Sequence, residues 1–297
     1  MVAGIIVSYQ PNPGELIIHI NELLEEVDII LLIENGSNKT IQVELENKLQ
    51  NTKIEILRLT ENEGLARAQN IAIKRGMEIG VDYFLFLDDD SEIGKGSVKL
   101  LQEELEKNPT VGIVSCHIEH KDSDKKQKYW IKRIYLYHRV QFTESIHRLE
   151  NVNTVISSGT LIPRRVIVKC GLMQDEYFID YVDIEYCLRV RANGYSITVL
   201  QNAKLFHKLG NTRSIRFGFF RFHLTNHSPK RRYYMIRNRI WTWRKYAFTF
   251  PGWLLLDIGN FLADNVRVFI FEKNKWEKGK FFWKGVVDGV FRKAERR

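Results

Sequence analysis

The chain has 297 residues, with 45 Lys and Arg against 36 Asp and Glu for a formal charge of +9, and is 44% hydrophobic and 12% aromatic. That composition supplies a large core and excludes a disordered chain, and the length means one large or two small domains. Three cysteines, Cys116, Cys170 and Cys187, stand in no paired spacing, which excludes a zinc knuckle or disulfide framework and favours a reducing compartment.

The first residues run straight into an apolar segment, with no basic leader or small-residue cleavage site, so a cytoplasmic protein without a signal peptide is expected. Residues 2–9 read as a strand, broken by Pro11, Asn12, Pro13 and Gly14, and a periodic helix follows to about residue 26. The alternation continues with a strand at 29–33, a helix near 40–50, a strand at 54–59, a helix at about 64–80 and a strand at 83–87. Strand alternating with helix predicts a mostly parallel α/β sheet, and the near-continuous apolar strands fit a sheet covered on both faces. Ligands of such sheets bind beyond the carboxyl ends of the strands, where residues 8–13, 34–38 and 88–91 would converge.

Asp88, Asp89 and Asp90 follow the apolar strand directly. Adjacent side chains leaving a strand alternate, so Asp88 and Asp90 share a direction and Asp89 points away. Such a pair suits Mg²⁺ or Mn²⁺, hard cations that take one or two carboxylates plus substrate phosphate oxygens. The bland alternative is a solvated acidic turn capping the next helix. A second acidic group, Asp180, Asp183 and Glu185, opens a predicted helix ending near Gly194, where a carboxylate also serves as a cap. Then comes a strand at 196–200 and His207, either a structural histidine or, beside the aspartates, a third metal ligand.

The charge is unevenly divided. Up to Ala203 there are 23 basic and 30 acidic residues, a net −7; beyond it there are 22 and 6, a net +16, together with 21 of the 35 aromatic residues. The acidic first part excludes a whole-protein nucleic-acid binder. The longest apolar stretch, 247–271, is interrupted by Asp257, Asn260, Asp264, Asn265 and Arg267, so it is not read as a membrane span. A basic, aromatic region fits peripheral contact with an anionic membrane surface, with Trp241 and Trp243, or Phe281, Phe282 and Trp283 beside Lys280 and Lys284, at the interface. The same pairs also fit a helical hairpin or a homodimer contact.

Seven segments in order resemble the inverting glycosyltransferases of family 2, closest to bacterial rhamnosyltransferases that build cell-surface polysaccharides. They are Ile6-Val7-Ser8-Tyr9, Ile33-Glu34-Asn35-Gly36-Ser37, Asn62-Glu63-Gly64-Leu65-Ala66 with Gln69-Asn70, Leu87-Asp88-Asp89-Asp90-Ser91, Ile156-Ser157-Ser158-Gly159-Thr160, residues 178–189 and His207. The resemblance covers roughly residues 1–210. It implies a GT-A (Rossmann-like) mixed, mostly parallel sheet flanked by helices as a catalytic domain over 1–210, followed by a helical region over 211–297 for acceptor, membrane or dimer contacts.

It further implies that Asp88 and Asp90 are DxD positions holding Mn²⁺ or Mg²⁺ with His207, that Asp183 is the general base, and that Ser8, Tyr9, Glu34, Asn62, Gly64, Asn70, Asp88, Asp89 and Gly159 meet the donor. The sequence departs from the family pattern at Glu34, where an aspartate is usual, at Val182, where many relatives carry Glu, and at Gln69 and Ala72, which replace a common Arg and Gly. Arg67, Arg232 or Arg237 would then supply the positive charge for the diphosphate. The implied reaction moves a sugar, L-rhamnose from dTDP-rhamnose, onto a lipid-linked glycan at the inner face of the plasma membrane. The alternatives are UDP-galactofuranose or a UDP-hexose as donor, a sugar nucleotidyltransferase, and a non-catalytic polyanion-binding protein.

Overall fold

The computed structural model describes residues 1–120, 126–133, 136–207, 213–217, 220–224 and 226–292. The chain divides into two compact units, residues 1–178 with 182–208, and residues 179–181 with 209–297.

The first unit opens with the predicted alternation: β1 (Val2–Ser8), α1 (Pro13–Leu23), β2 (Ile29–Asn35), α2 (Lys39–Lys48), β3 (Ile54–Leu59), α3 (Leu65–Glu78) and β4 (Tyr83–Asp88). It continues through β5 (Ser91–Ile93), α4 (Ser97–Lys107), β6 (Val111–His120), β7 (Tyr129–Arg133), β8 (Leu136–Val140), β9 (Arg148–Leu149), β10 (Thr160–Pro163), α5 (Arg164–Cys170), α6 (Val182–Ala192) and β11 (Ser196–His207). The main sheet runs β3-β2-β1-β4-β10-β6-β11-β5. Strands β1 to β4 are mutually parallel, β10 runs antiparallel between β4 and β6, and β7 and β8 form a separate hairpin. Ile30, Leu31, Leu32 and Ile33 in β2 are all fully buried, as their unbroken apolar run requires of a strand covered on both faces. Each such side chain contributes about 1.5–3 kcal/mol relative to exposure.

Two expectations are corrected. The first helix stops at Leu23, because the carboxylate of Glu26 accepts the backbone N–H groups of Gly96 at 2.7 Å and Val98 at 3.3 Å. It thereby caps α4, whose own N-cap glycine offers no side chain. The strand expected at 196–200 runs on to His207 through a register shift between Leu200 and Lys204, which places Gln201 and Asn202 at an irregularity of the ladder. The antiparallel insertion of β10 makes the sheet mixed and mostly parallel, as the resemblance implies.

The second unit holds β12 (Arg213–Phe217) paired with β13 (Phe220–Leu224), then α7 (Pro229–Tyr246), α8 (Pro251–Phe271) and α9 (Lys275–Phe291). Trp241 is buried with its indole N–H on the Arg292 carbonyl at 3.1 Å, and Trp243 donates to Asp257 at 2.6 Å. That pair packs the helices instead of facing a membrane. No helix among the described residues is long and apolar enough to cross one.

Candidate active site

Strand register gathers the site. Ser8 pairs with Glu34 across β1 and β2, and Val7 with Asp88 across β1 and β4, so the carboxyl ends of three parallel strands lie side by side. On the far side of the sheet path, β11 pairs antiparallel with β5 and sets the backbone of His207 opposite Ser91, the residue after the three aspartates. The His207 side chain lies outside the described residues.

The aspartate turn is held from below by hydroxyls. Ser158 Oγ accepts the Asp88 backbone N–H at 3.0 Å and donates to Ser91 Oγ at 3.0 Å. Gly159, at a φ of +76°, donates its N–H to the Phe86 carbonyl and accepts from Cys116 N–H, both at 2.8 Å, which fixes that loop between β4 and β6. Burial, and after it the carboxylates of Asp90 and Asp88, push the Asp89 carboxyl up to about 6, against a backbone N–H bond from Tyr9 that favours its charged form. Because that value lies above the ordinary 3.8, stability drawn from Asp89 is present below about pH 4 and is lost as pH rises through about 6. At neutral pH the turn therefore crowds negative charge that a cation would relieve. Three adjacent half-buried carboxylates at the end of β4, with the His207 backbone opposite Ser91, have the donor chemistry of an Mn²⁺ or Mg²⁺ site. Among the described residues, no three His, Cys, Asp or Glu side chains form a closed metal cluster, and a divalent ion of this class completes its shell with substrate phosphates.

The other expected donor contacts divide in two. Tyr9 is half exposed at the edge, whereas Ser8 and Glu34 are fully buried. Glu34 accepts the Ser37 N–H at 2.6 Å and the Gln42 side-chain amide at 2.7 Å, so its carboxylate shapes the turn after β2. Asn62 Oδ1 accepts from the Asn35 side chain at 3.2 Å and from the Gly64 N–H at 3.0 Å, and Asn35 returns an acceptor to the Glu63 N–H. Asn70 ties α3 to the loop after α5 through the Met173 backbone and Asp175. Gly64 starts α3 at a φ of +86°, and a Cβ there would stand 2.6 Å from the Phe178 carbonyl oxygen. Gly64→Ala should therefore lower stability by about 2–4 kcal/mol, the left-handed cost plus overpacking, measured by urea unfolding.

Asp183 lies in the first turn of α6 and accepts the Ile184 N–H at 2.8 Å. Beside it is a cavity of about 20 Å³ lined by Gln69, Ser157, Thr160, Met173, Val182 and Tyr186. Gln69 donates to Ser157 Oγ at 2.9 Å, while its Oε1 and the Tyr186 hydroxyl have no described partner, in room for about one water. The neighbouring acids have structural work: buried Glu185 pairs with Arg189 at 2.7 Å, and Asp180, in the second unit, takes a bidentate bond from Arg231 at 3.0 Å on each oxygen. Of the three, Asp183 lines this cavity.

Of the candidate diphosphate contacts, Arg67 is half exposed on α3 and pairs with Glu63 at 3.2 Å. Arg232 is buried in the second unit at 3.8 Å from Glu272, and Arg237 lies over Trp241 at 4.2 Å and bonds Asn238. Burial raises all three thiols, Cys187 to about 12, so none is a ready nucleophile. Ser158 was the contact least visible beforehand; its signal was the Ser-Ser-Gly run, whose partner lies seventy residues upstream.

The mostly parallel sheet flanked by helices is GT-A-like, and the sequence profile of Glycosyl transferase family 2 matches residues 5–171. The chain belongs to this family. It is 30% identical over 97% of its length, and 95% of the relative's, to the dTDP-rhamnosyl transferase RfbF of Shigella flexneri. Solved structures share the fold: GalNAc-T7 with UDP, GalNAc and Mn²⁺ at TM-score 0.62 and 14% identity, covering 96% of this chain and 54% of that one, and S. aureus TarS 1-349 with UDP-GlcNAc at 0.60 and 14%, covering 97% and 80%. The chain thus spans about half of the GalNAc-T7 structure.

Proposed function

We propose that the protein transfers L-rhamnose from dTDP-rhamnose, with inversion, to a hydroxyl of a lipid-linked glycan acceptor at the inner face of the plasma membrane. The geometry that carries the transfer is the register setting Ser8, Glu34 and Asp88 along one edge with His207 opposite Ser91. Full-length similarity to a rhamnosyl transferase supports the donor.

Asp88 and Asp90, with His207, would hold Mn²⁺ or Mg²⁺, which supplies charge neutralisation to a departing diphosphate. Asp183 takes the proton of the acceptor hydroxyl as the new bond forms, because a neutral sugar hydroxyl is a weak nucleophile. Attack opposite the leaving group passes through an oxocarbenium-like state and inverts the anomeric centre. The Ser158 bonds to the Asp88 N–H and Ser91 Oγ keep the acidic turn in place while charge shifts across it.

A thermal-shift series with Mn²⁺ and dTDP-rhamnose, UDP-galactofuranose, UDP-glucose and UDP-GlcNAc tests the donor. A selective rise with dTDP-rhamnose is expected, since a ligand at 100 times its Kd stabilises by about 2.7 kcal/mol. A larger rise with a uridine donor would replace rhamnose in this reading.

A further inference from the structure

Helices α8 and α9 expose large apolar side chains. Along α8, Leu255, Leu262, Val266 and Ile270 are all more than half exposed, with Leu255 at 71%, and their spacing puts them on one face. On its inner side Trp253 and Val268 are buried together with Asp257, which bonds Arg239, Trp243 and Tyr181. In α9 the exposed apolar residues are Trp276 at 78%, Trp283 at 67%, Val287, Val290 and Phe291, while Lys278 and Asp288 are buried, Lys278 bonding Glu272 at 2.7 Å and Asp288 accepting from the Tyr233 hydroxyl at 2.6 Å. Phe282 of α9 meets Phe261 and Phe269 of α8 at ring distances of 6.0 and 5.9 Å, joining the two stripes.

An apolar stripe exposed over two adjacent helices marks an interaction face rather than a helix turned wholly to the core. Exposed charge decides what that face meets. Among residues 272–292 the exposed cations are Lys273, Lys275, Lys280, Lys284 and Arg292, against the single exposed anion Glu277. Lys280 lies over the Trp276 ring at 5.7 Å, an aromatic and cation together at the surface. Indole rings and lysines prefer the headgroup level of a bilayer, and anionic lipid attracts each cation. With no spanning helix among the described residues, the arrangement is one that lies in the plane of the interface.

We infer that the outward faces of α8 and α9 form a docking surface for an anionic lipid bilayer, inserted at headgroup depth. The inference gives the lipid-borne acceptor of the proposed reaction a definite surface. It is tested without nucleotide sugar, so its failure and that of rhamnosyl transfer are distinguishable.

The test is flotation of the full chain with phosphatidylcholine vesicles, with and without phosphatidylglycerol, together with Trp quenching by brominated lipid. Wild type should float with the anionic vesicles and show quenching that Trp276→Phe with Trp283→Phe largely removes. Leu262→Glu with Val266→Glu should weaken binding at least tenfold while leaving the melting temperature unchanged, because both positions are exposed. Absence of flotation overturns the inference. So does a wild type that sediments as a dimer without floating and is made monomeric by the Glu pair, since the face would then meet a second copy.

Discussion

Asp183→Asn is expected to lower kcat by at least two orders of magnitude and to leave the donor's Kd within about twofold. The amide keeps the size of the carboxylate and an oxygen to accept the Ile184 N–H at 2.8 Å, so the first turn of α6 stays intact. What it loses is the basic oxygen, and removing a positioned base costs about 10²–10⁴ in rate, or roughly 3–5 kcal/mol of transition-state stabilisation. Donor affinity is a separate matter, because the expected donor edge is built by β1, β2 and β4. Single-turnover transfer and calorimetry on one preparation measure the two effects. Turnover near that of wild type would remove Asp183 from the role, and lost donor binding would make it a binding residue.

Asp90→Ala is expected to weaken Mn²⁺-dependent binding of dTDP by at least 10–100-fold, the range seen even for residues that only support a metal's ligands. The same change should have the opposite sign without metal. Asp89 is pushed up to about 6 partly by the carboxylates of Asp90 and Asp88, so deleting one of them relieves crowding in the metal-free turn. The variant should therefore melt at or above the wild-type temperature in chelator. A general loss of stability in chelator would show that Asp90 holds the fold rather than a cation.

The sequence carries the parallel half of the fold well, because β1 to β4 and their helices follow period and breaker rules that act within twenty residues. The apolar run of β2 announced a strand buried on both faces, and the three aspartates announced the edge. Long-range pairings were not legible. Nothing near Asp180 predicts Arg231 as its partner 51 residues away, and nothing near Glu26 predicts that it leaves its helix to cap α4. Glu34 reads as a donor contact by position, yet its carboxylate is fully buried against Ser37 and Gln42. Trp241 and Trp243 misled for a related reason: aromatic content marks an amphipathic region but not which ring is buried, a matter set by Arg292 and Asp257 far along the chain. In α8 the run's interrupting Asp257 is buried with Trp253 and Val268, opposite the exposed Leu255, Leu262, Val266 and Ile270.

The proposed transfer requires the acidic turn at the end of β4 to grip a nucleotide diphosphate through a divalent ion. Calorimetric titration of dTDP into the wild-type protein, run with Mn²⁺ and again in chelator, tests it most directly. Binding that appears with Mn²⁺, fades in chelator and is missing from Asp90→Ala under both conditions is the predicted result. Equal affinity in all of these titrations would contradict the account.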